Sequence, residues 1–241
     1  MKAGWTRRNR SLNTTSRNSR AWRRAIVLCS LWGGALTTCG IPQLAYIAPP
    51  IPGIVRTLPA TIDFRHDQRA NDIDSFLGYE LYYKFYDPGA GSLFDADRAV
   101  IEAASPGAVA STITARGYRR VERIPDEKPS VPFGATERSE ENLIVTIRFQ
   151  QGSPTGARAE WGTQVVDLVR NQTILNNPRP ELGFREQDLA IGTHGDLPST
   201  DFPFLGMGLA IVAYGIDYIT NTFGELYSTA VVPFATVQIA Y

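Results

Sequence analysis

The sequence predicts a mainly β protein, an antiparallel β-sandwich with insertions and one or two short helices. Apolar and polar residues alternate with a period of two in several short segments, and turn residues separate these segments. With 241 residues and 43% hydrophobic content, the chain is long enough to bury a core. Several short strands that are separated by turn residues favour a sandwich over a parallel sheet.

The strongest strand pattern is Phe76–Tyr86, which carries aromatic residues on both faces. We expect the core face to hold Tyr79, Leu81, Tyr83 and Phe85. Tyr82 and Tyr86 then lie on the outer face, which we expect to be partly covered. The other predicted strands are Thr61–Arg65, Leu143–Phe149, Gly208–Tyr218 and Tyr227–Ile239, the last broken by Pro233.

The middle of the chain contains the predicted exceptions to the β pattern. Asp95–Ala104 reads as a helix that an acidic cap opens and Ser105-Pro106-Gly107 closes. Gly162–Arg170 is compatible with a turn of helix, and a strand is the alternative, because its valines are β-branched. Pro125–Glu141 is predicted to be a long charged loop.

The first residues of the chain have the organisation of an export signal. Residues 1–24 contain eight basic and no acidic residues, and the apolar run Ala25–Ala35 follows. A basic segment followed by an apolar run of about 7 to 15 residues describes a secretory signal. The run is shorter than the ~20 apolar residues that a transmembrane helix needs.

The four residues after this run end in a cysteine. Leu36-Thr37-Thr38-Cys39 resembles a lipobox, the Leu-x-x-Cys signal at which bacterial lipoproteins are acylated and then cleaved before the cysteine. The resemblance implies a diacylglyceryl group on the Cys39 sulfur, usually with an added N-acyl chain, and no other cofactor. Thr38 stands where Gly, Ala or Ser is commonest, so the motif is similar to the looser lipoboxes of spirochaetes.

An ordinary thiol at Cys39, beside a plain signal peptide or an uncleaved anchor, is the alternative. Several acyl chains would give durable membrane anchoring, which a single chain does not. Gly40 follows the cysteine, so the aspartate that retains some lipoproteins in the inner membrane is absent. We therefore expect a lipid-anchored envelope protein, with the outer membrane favoured over the inner one.

These features divide the chain into a signal peptide (1–38), a lipidated Pro-rich tether (39–58) and a folded domain (59–241). The tether contains four prolines and Pro59 follows it, and these prolines prevent a regular helix or a central strand. In polyproline II geometry, such a segment would hold a domain roughly 50 Å from the bilayer. We expect it to be free near Cys39 and docked from about Ile54 onward, and part of it is alternatively a first edge strand.

Charge and cysteine content exclude some functions. Beyond residue 24 the chain has 16 basic and 24 acidic residues, a formal charge of −8, and this argues against nucleic acid as a partner. Cys29 and Cys39 are the only cysteines, so the predicted domain can form neither a disulfide nor a thiolate zinc site.

The domain carries a second resemblance. Phe76–Lys84 looks like the third strand of fibronectin type III-like domains, and Ala210–Ser228 is similar to their closing hairpin. The resemblance implies an immunoglobulin/fibronectin type III-like sandwich, expanded by the insertions between Asp87 and Ser139, as in small spirochaete lipoproteins of uncharacterised function.

No catalytic or metal-binding motif emerges from the sequence. His66 near Asp63 and Asp67 does not gather three ligands on one strand face. His194, Ser199 and Asp201 lie in a turn-rich loop without a nucleophile elbow. Neither of the two Asp-x-Asp pairs, at Asp72 and Asp95, continues as a calcium loop, and helix capping accounts for Asp95 and Asp97. We therefore predict neither an enzyme nor a metal site.

Aromatic side chains are the candidates for ligand binding, because Tyr and Phe in loops or on exposed faces anchor protein and sugar contacts. They are Tyr82, Tyr86, Phe133, Phe202, Phe204 and Phe223. Packing as lids over the sandwich ends is their alternative role.

The sequence favours a non-catalytic module that is bound to the membrane through Cys39 and binds an envelope or host protein or polysaccharide. Two alternatives stay open. One is an envelope hydrolase or carbohydrate-active enzyme whose acids, such as Asp196, Asp201 or Glu225, meet only in the fold. The other is a purely structural envelope component.

Overall fold

A computed structural model describes residues 46–57, 60–72, 74–123, 127–149, 155–170, 183–189, 197–198, 204–217 and 224–238. The strands are β1 (Ile51–Thr57), β2 (Ala60–Arg65), β3 (Phe76–Tyr86), β4 (Arg119–Arg123), β5 (Val131–Pro132), β6 (Ile144–Phe149), β7 (Ala157–Trp161), β8 (Gln164–Arg170), β9 (Phe204–Asp217), β10 (Gly224–Tyr227) and β11 (Phe234–Gln238). The α-helices are α1 (Gly91–Glu102), α2 (Val109–Ala115) and α3 (Ala135–Ser139). Short 3-10 helices cover Gln68–Asp72 and Glu186–Leu189.

The strands follow one hydrogen-bonded path in the order β1-β2-β6-β7-β8-β4-β3-β9-β10, and every pairing in it is antiparallel. β5 pairs with β3, and β11 pairs with β9. β11 also lies against β1 and β2, so the sheet curls towards its own first edge. The predicted mainly β, antiparallel class is confirmed.

The inner face of the curled sheet encloses the main hydrophobic core. The face of β3 that the alternation predicts to be buried, from Tyr79 to Phe85, is buried there. Ile62 and Phe64 of β2 and Val145 and Ile147 of β6 contact the same core. The inward residues of these strands are therefore those that period-two alternation indicates.

The outer face of β3 and β9 forms a second core beneath α1 and α2. Phe94 and Ile101 of α1 and Ile113 of α2 pack on this face with Tyr82 and Tyr86. Those two tyrosines are only 5% and 2% exposed. The cover on this face is more complete at Tyr82 and Tyr86 than the expected partial cover, because the insertion after β3 folds back over it.

Three other segments differ from the sequence predictions. Gln164–Arg170 is a strand and not a helix, as its β-branched valines favour. The charged loop 125–141 contains β5 and α3 among its described residues. Helix α1 begins at Gly91, four residues before Asp95, and its N-terminus has no side-chain cap. Asp97 therefore lies inside the helix and does not cap it.

The tether range contributes structure to the domain. β1 pairs with β2 from Ile51 opposite Arg65 to Thr57 opposite Ala60. Ile47 is fully buried, so the chain is docked from Ile47 and not from Ile54. The alternative of a first edge strand describes Ile51–Thr57, while Cys39 and the residues next to it lie outside the described part.

A buried ion pair attaches α1 to the sheet. Asp97 Oδ2 accepts hydrogen bonds from Lys84 Nζ at 2.6 Å and from the Tyr86 hydroxyl at 2.9 Å. The Asp97 side chain is only 4% exposed. Lys84 Nζ also donates to the carbonyl oxygen of Arg116, just after α2, at 2.8 Å. These contacts fix both helices to one point of β3.

We expect Asp97→Ala to lower the free energy of unfolding by about 3 kcal/mol, because it leaves Lys84 without its buried counter-ion. Asp95→Ala is the matched control on the same helix, since Asp95 is exposed and its loss should cost less than about 0.5 kcal/mol. Urea denaturation of both variants measures the difference. Equal effects would show that the pair does not hold α1.

Candidate functional site

The part of the second core that lies beyond the helices carries polar side chains in place of apolar ones. The register places Glu80 opposite Val212, Gly78 opposite Tyr214 and Tyr214 opposite Tyr227. Residues opposite one another project to the same face of a sheet. One end of this face thereby gathers a set that we call the tyrosine–glutamate cluster: Glu80, Tyr82, Tyr214, Glu225 and Tyr227.

Glu80 is the buried acid of the cluster. It is 0% exposed, and its Oε2 accepts a hydrogen bond from the Ser130 hydroxyl at 3.2 Å. Its Oε1 has no hydrogen-bond partner. Burial raises the pKa of Glu80 to about 7, although the cations Arg120 and Lys128 act to lower it. Burial thus favours the protonated, neutral form of Glu80 over its carboxylate.

Glu225 is the exposed acid of the cluster. Lys128 Nζ donates to its Oε1 at 2.6 Å, and the Tyr227 hydroxyl donates to its Oε2 at 2.8 Å. The Tyr214 hydroxyl lies 3.3 Å from Oε1. Partial burial would raise the pKa of Glu225, but the hydrogen bonds from Lys128 and Tyr227 outweigh burial and lower it. Glu225 is a permanent negative charge at neutral pH.

The three tyrosines contact one another, and two of them also contact Glu225. The rings of Tyr214 and Tyr227 have centroids 5.5 Å apart, and the hydroxyls of Tyr82 and Tyr227 are hydrogen bonded to each other. Burial raises the pKa of Tyr82 to about 12 and raises the pKa values of Tyr214 and Tyr227 further. All three hydroxyls stay protonated at neutral pH.

A short segment from Glu127 to Ser130, which we call the strap, lies over Glu80. Ser130 is fully buried, and its hydroxyl oxygen accepts a hydrogen bond from the Leu81 amide at 3.2 Å. Arg123 Nε donates to the Pro129 carbonyl oxygen at 3.1 Å. Gly78 allows this close approach, because a Cβ built on it would lie 2.1 Å from the Val131 carbonyl oxygen, and its φ is +143°.

The cluster holds a cation of the chain itself, Lys128. It offers one ionised carboxylate at the surface, one titrating carboxyl below it and the faces of aromatic rings, which attract positive charge. Lys128 Nζ lies 5.7 Å from the centre of the Tyr214 ring. No group of three His, Cys, Asp or Glu side chains that could hold a metal ion occurs in the described ranges.

The aromatic candidates from the sequence do not form a common surface. Tyr82, Tyr86 and Phe133 are at most 5% exposed, so the expectation that their rings are open to solvent is wrong. Helices α1 and α2 cover the two tyrosines. Phe133 packs in the main core against Tyr79 and Trp161, with ring centroids at 5.3 and 6.0 Å.

Phe204 is the exposed member of this candidate set in the described part, with 39% of its surface open. Phe202, Phe223, Asp196 and Asp201 lie outside the described residues, as does the lipobox from Leu36 through Thr37 and Thr38 to Cys39.

His66 is a core residue with two partners. Its Nδ1 lies 2.6 Å from the Tyr79 hydroxyl, and its Nε2 lies 3.2 Å from the Asn71 side-chain oxygen. Burial lowers the pKa of His66, and the Asn71 contact offsets part of this. His66 therefore satisfies a polar position beside Phe76 and Phe133 in the aromatic core.

Sequence reasoning missed Glu80, Tyr214, Tyr227 and Lys128 as site residues. One available signal was the acid at position 80, which shares a face with Tyr82 inside the most aromatic strand. A charged residue at such a position needs a partner or a function. The position of Lys128 has no comparable local signal, because Lys128 meets Glu225 only in the fold.

No protein-family model matches the chain, and no curated protein or solved structure matches it. The function of the cluster is therefore inferred from its own chemistry.

Replacing Glu80 by glutamine should change how stability depends on pH. The folded state holds the Glu80 proton more tightly than the unfolded chain does, with a pKa of about 7 against 4.5. The contribution of protonated Glu80 to the free energy of unfolding is thus complete below about pH 4.5 and is lost as the pH rises through 7. The loss is about 3 kcal/mol at most. Glu80→Gln should gain about that much relative to the wild type between pH 4.5 and 8.

Urea denaturation at several pH values measures this difference, and Glu141→Gln, at an exposed position, is the control. Parallel stability curves for Glu80→Gln and wild type would contradict the elevated pKa.

Proposed function

We propose that the protein is a lipid-anchored envelope lipoprotein of the spirochaete type, and that its domain is a non-catalytic binding module. The observation that carries the binding role is the tyrosine–glutamate cluster, where the buried Glu80 has an oxygen without a partner close to the exposed Glu225. Such a carboxyl in a core does not stabilise the fold, since burial disfavours its charged form, and carboxyls of this kind cluster at functional sites.

The spacing between the lipobox and the domain limits how far the proposed anchor would hold the domain from the bilayer. Cys39 precedes Ile47, the first buried residue of the described part, by eight positions, and eight residues span at most about 29 Å when fully extended. Lipidation of Cys39 would therefore keep the domain close to the bilayer, nearer than the roughly 50 Å that a free tether up to residue 58 would allow. No helix of the described residues is long and apolar enough to cross a membrane.

For the domain, we propose an expanded fibronectin type III-like sandwich. The order β1-β2-β6 corresponds to one sheet of such a sandwich, and β4-β3-β9 with β10 and β11 corresponds to the other. Besides the insertions between Asp87 and Ser139, the hairpin β7–β8 is a second expansion, because it bridges β6 to β4 along one side. This correspondence accounts for a continuous hydrogen-bonded path in a fold that ordinarily has two separate sheets.

An envelope or host protein is the partner class that the cluster suits best, with a polysaccharide as the other class. Tyr227 and Glu225 reach the surface, and Tyr is a frequent anchor in protein interfaces. The acidic balance of the chain beyond residue 24 favours partners with basic groups. We place the protein in the outer membrane in preference to the inner one.

A second candidate function is an envelope hydrolase. The pKa of Glu80 is raised and that of Glu225 is lowered, and such a divergence is typical of an acid and base pair in glycoside hydrolysis. Glu80, however, has no exposed surface on which a substrate oxygen could approach it. Binding is therefore the better-supported role.

Metabolic labelling with a radioactive or alkyne-bearing fatty acid tests the anchor in cells. We expect the wild type to be labelled and Cys39→Ala to lose the label, because the acyl chains require the Cys39 sulfur and the amine released by cleavage. Cys29→Ala is the matched control and should retain the label. Label that survives in Cys39→Ala would overturn the lipoprotein proposal.

Assays with envelope glycans distinguish the hydrolase. We expect no turnover of peptidoglycan fragments or glycosides by the wild type, and hence no change with Glu80→Gln or Glu225→Gln. Turnover that falls at least 100-fold in both variants would replace the binding role with catalysis.

A further inference from the structure

We propose that His66 is an acid-sensitive latch, and that a second proton on its imidazole releases helix α3 and the 3-10 helix Gln68–Asp72 from the aromatic core. This inference goes beyond the proposed binding function and depends neither on the lipid anchor nor on the tyrosine–glutamate cluster. Its parts are a buried imidazole with both nitrogens engaged, an asparagine that connects it to α3, and a helix that buries none of its own residues.

The hydrogen bonds around His66 suit its neutral form. The Asn71 side-chain nitrogen donates to the Arg138 carbonyl oxygen at 2.6 Å, so the Asn71 side-chain oxygen accepts from His66 Nε2 at 3.2 Å. Nε2 therefore carries the imidazole proton, and Nδ1 accepts a hydrogen bond from the Tyr79 hydroxyl at 2.6 Å. The Tyr79 oxygen in turn accepts from the Asp67 backbone amide. This network is complete when the imidazole carries one proton.

A second proton on the imidazole would break the network at Tyr79. It would sit on Nδ1 and point at the Tyr79 oxygen, so the hydroxyl would need another acceptor for its own proton. Burial raises the pKa of Tyr79, so the hydroxyl keeps that proton. Tyr79 has no exposed surface, and the rings of Phe64, Phe76 and Phe133 around it offer no acceptor oxygen. An unpaired hydroxyl and a buried charge are both costly.

The charged groups that face His66 do not compensate for its burial. Burial lowers the pKa of His66 and outweighs the Asn71 hydrogen bond and the Asp67 carboxylate, which both raise it, while Arg138 of α3 acts with burial. Arg69 holds the pKa of Asp67 below its usual range, so Asp67 stays ionised while His66 titrates. The stabilisation from neutral His66 is thus complete above pH 6.5 and is lost as the pH falls through its lowered pKa.

Helix α3 depends on polar contacts with this network, because it has no buried residue. Its Arg138 carbonyl oxygen accepts from Asn71, and the Arg138 guanidinium donates to the Asp74 carbonyl oxygen at 3.3 Å. A doubly protonated His66 regains solvation by turning its ring out of the core. That movement displaces Asn71, and α3 then loses the contact that connects it to the core.

Hydrogen–deuterium exchange of the full chain in detergent at pH 7.5 and pH 5 tests the latch. After correction for the intrinsic pH dependence of exchange, we expect the amides of residues 68–72 and 135–139 to exchange at least about tenfold faster at pH 5. His66→Gln should lose this response, because glutamine offers one donor and one acceptor, as neutral imidazole does, and does not titrate. His194→Gln is the matched control, since it removes the only other histidine of the chain, and should respond as the wild type does.

Two further measurements separate the proton from the connection. Asn71→Ala should exchange rapidly in residues 135–139 at both pH values, because it disconnects α3 whatever the charge of His66. Glu80, whose pKa of about 7 lies in the same range, projects to the other face of β3. Because both histidine variants retain Glu80, it does not account for a difference between them.

NMR titration of the imidazole Cε1–H signals, assigned with His194→Gln, gives the pH at which His66 is protonated. We expect a value below 6.5 that coincides with the pH at which exchange accelerates. Equal acid responses in His66→Gln and wild type would refute the latch, as would exchange in residues 135–139 that is independent of pH or titration of His66 at or above 6.5. If His66→Gln does not fold, the wild-type midpoints decide, and a separation of more than about one pH unit between them refutes the proposal.

Discussion

The pairing of β3 with β9 is the constraint on which the rest of the structure depends. The two strands run together from Phe76 opposite Gly215 to Tyr86 opposite Gly206, and both faces of the pair are covered. A strand pair without a solvated face must supply partners for every polar side chain that it carries. β3 carries Glu80 and Lys84 on one face. Lys84 is covered by the helices α1 and α2, and Glu80 is covered by the strap.

The two charges are neutralised in different ways. Lys84 meets Asp97, and the resulting pair with its tyrosine hydroxyl fixes the helices. Glu80 has one hydrogen-bond partner, the Ser130 hydroxyl, and feels the charges of two cations, Arg120 and Lys128. Its Oε1 therefore has no hydrogen-bond partner. The Lys84–Asp97 pair has its hydrogen-bond partners within the fold, so we assign it a structural role. The arrangement around Glu80 is incomplete, and it lies where Glu225 and Tyr227 open to the surface, which is why we assign function to that end of the strand.

Period-two alternation in the sequence was enough to predict β3 to the residue and to identify its core face from Tyr79 to Phe85. It could not show what covers the opposite face, because an aromatic residue such as Tyr82 suits a solvated sheet and a helix-covered one equally well. The cover comes from an insertion whose helix α1 starts without a side-chain cap, so its first turn had no sequence signal. The cluster was less accessible still, since Ser130 and Glu225 are 50 and 145 positions from Glu80.

The chain passes from Ile47 into the edge strand β1, and this entry has a mechanical consequence. The hydrogen bonds between β1 and β2 are perpendicular to the strand. A pull directed along β1 from its N-terminal end would load those bonds in shear, so that they share the force and do not open one after another. A domain held to a surface through this strand would keep its fold under drag at forces that would unzip a strand pulled sideways.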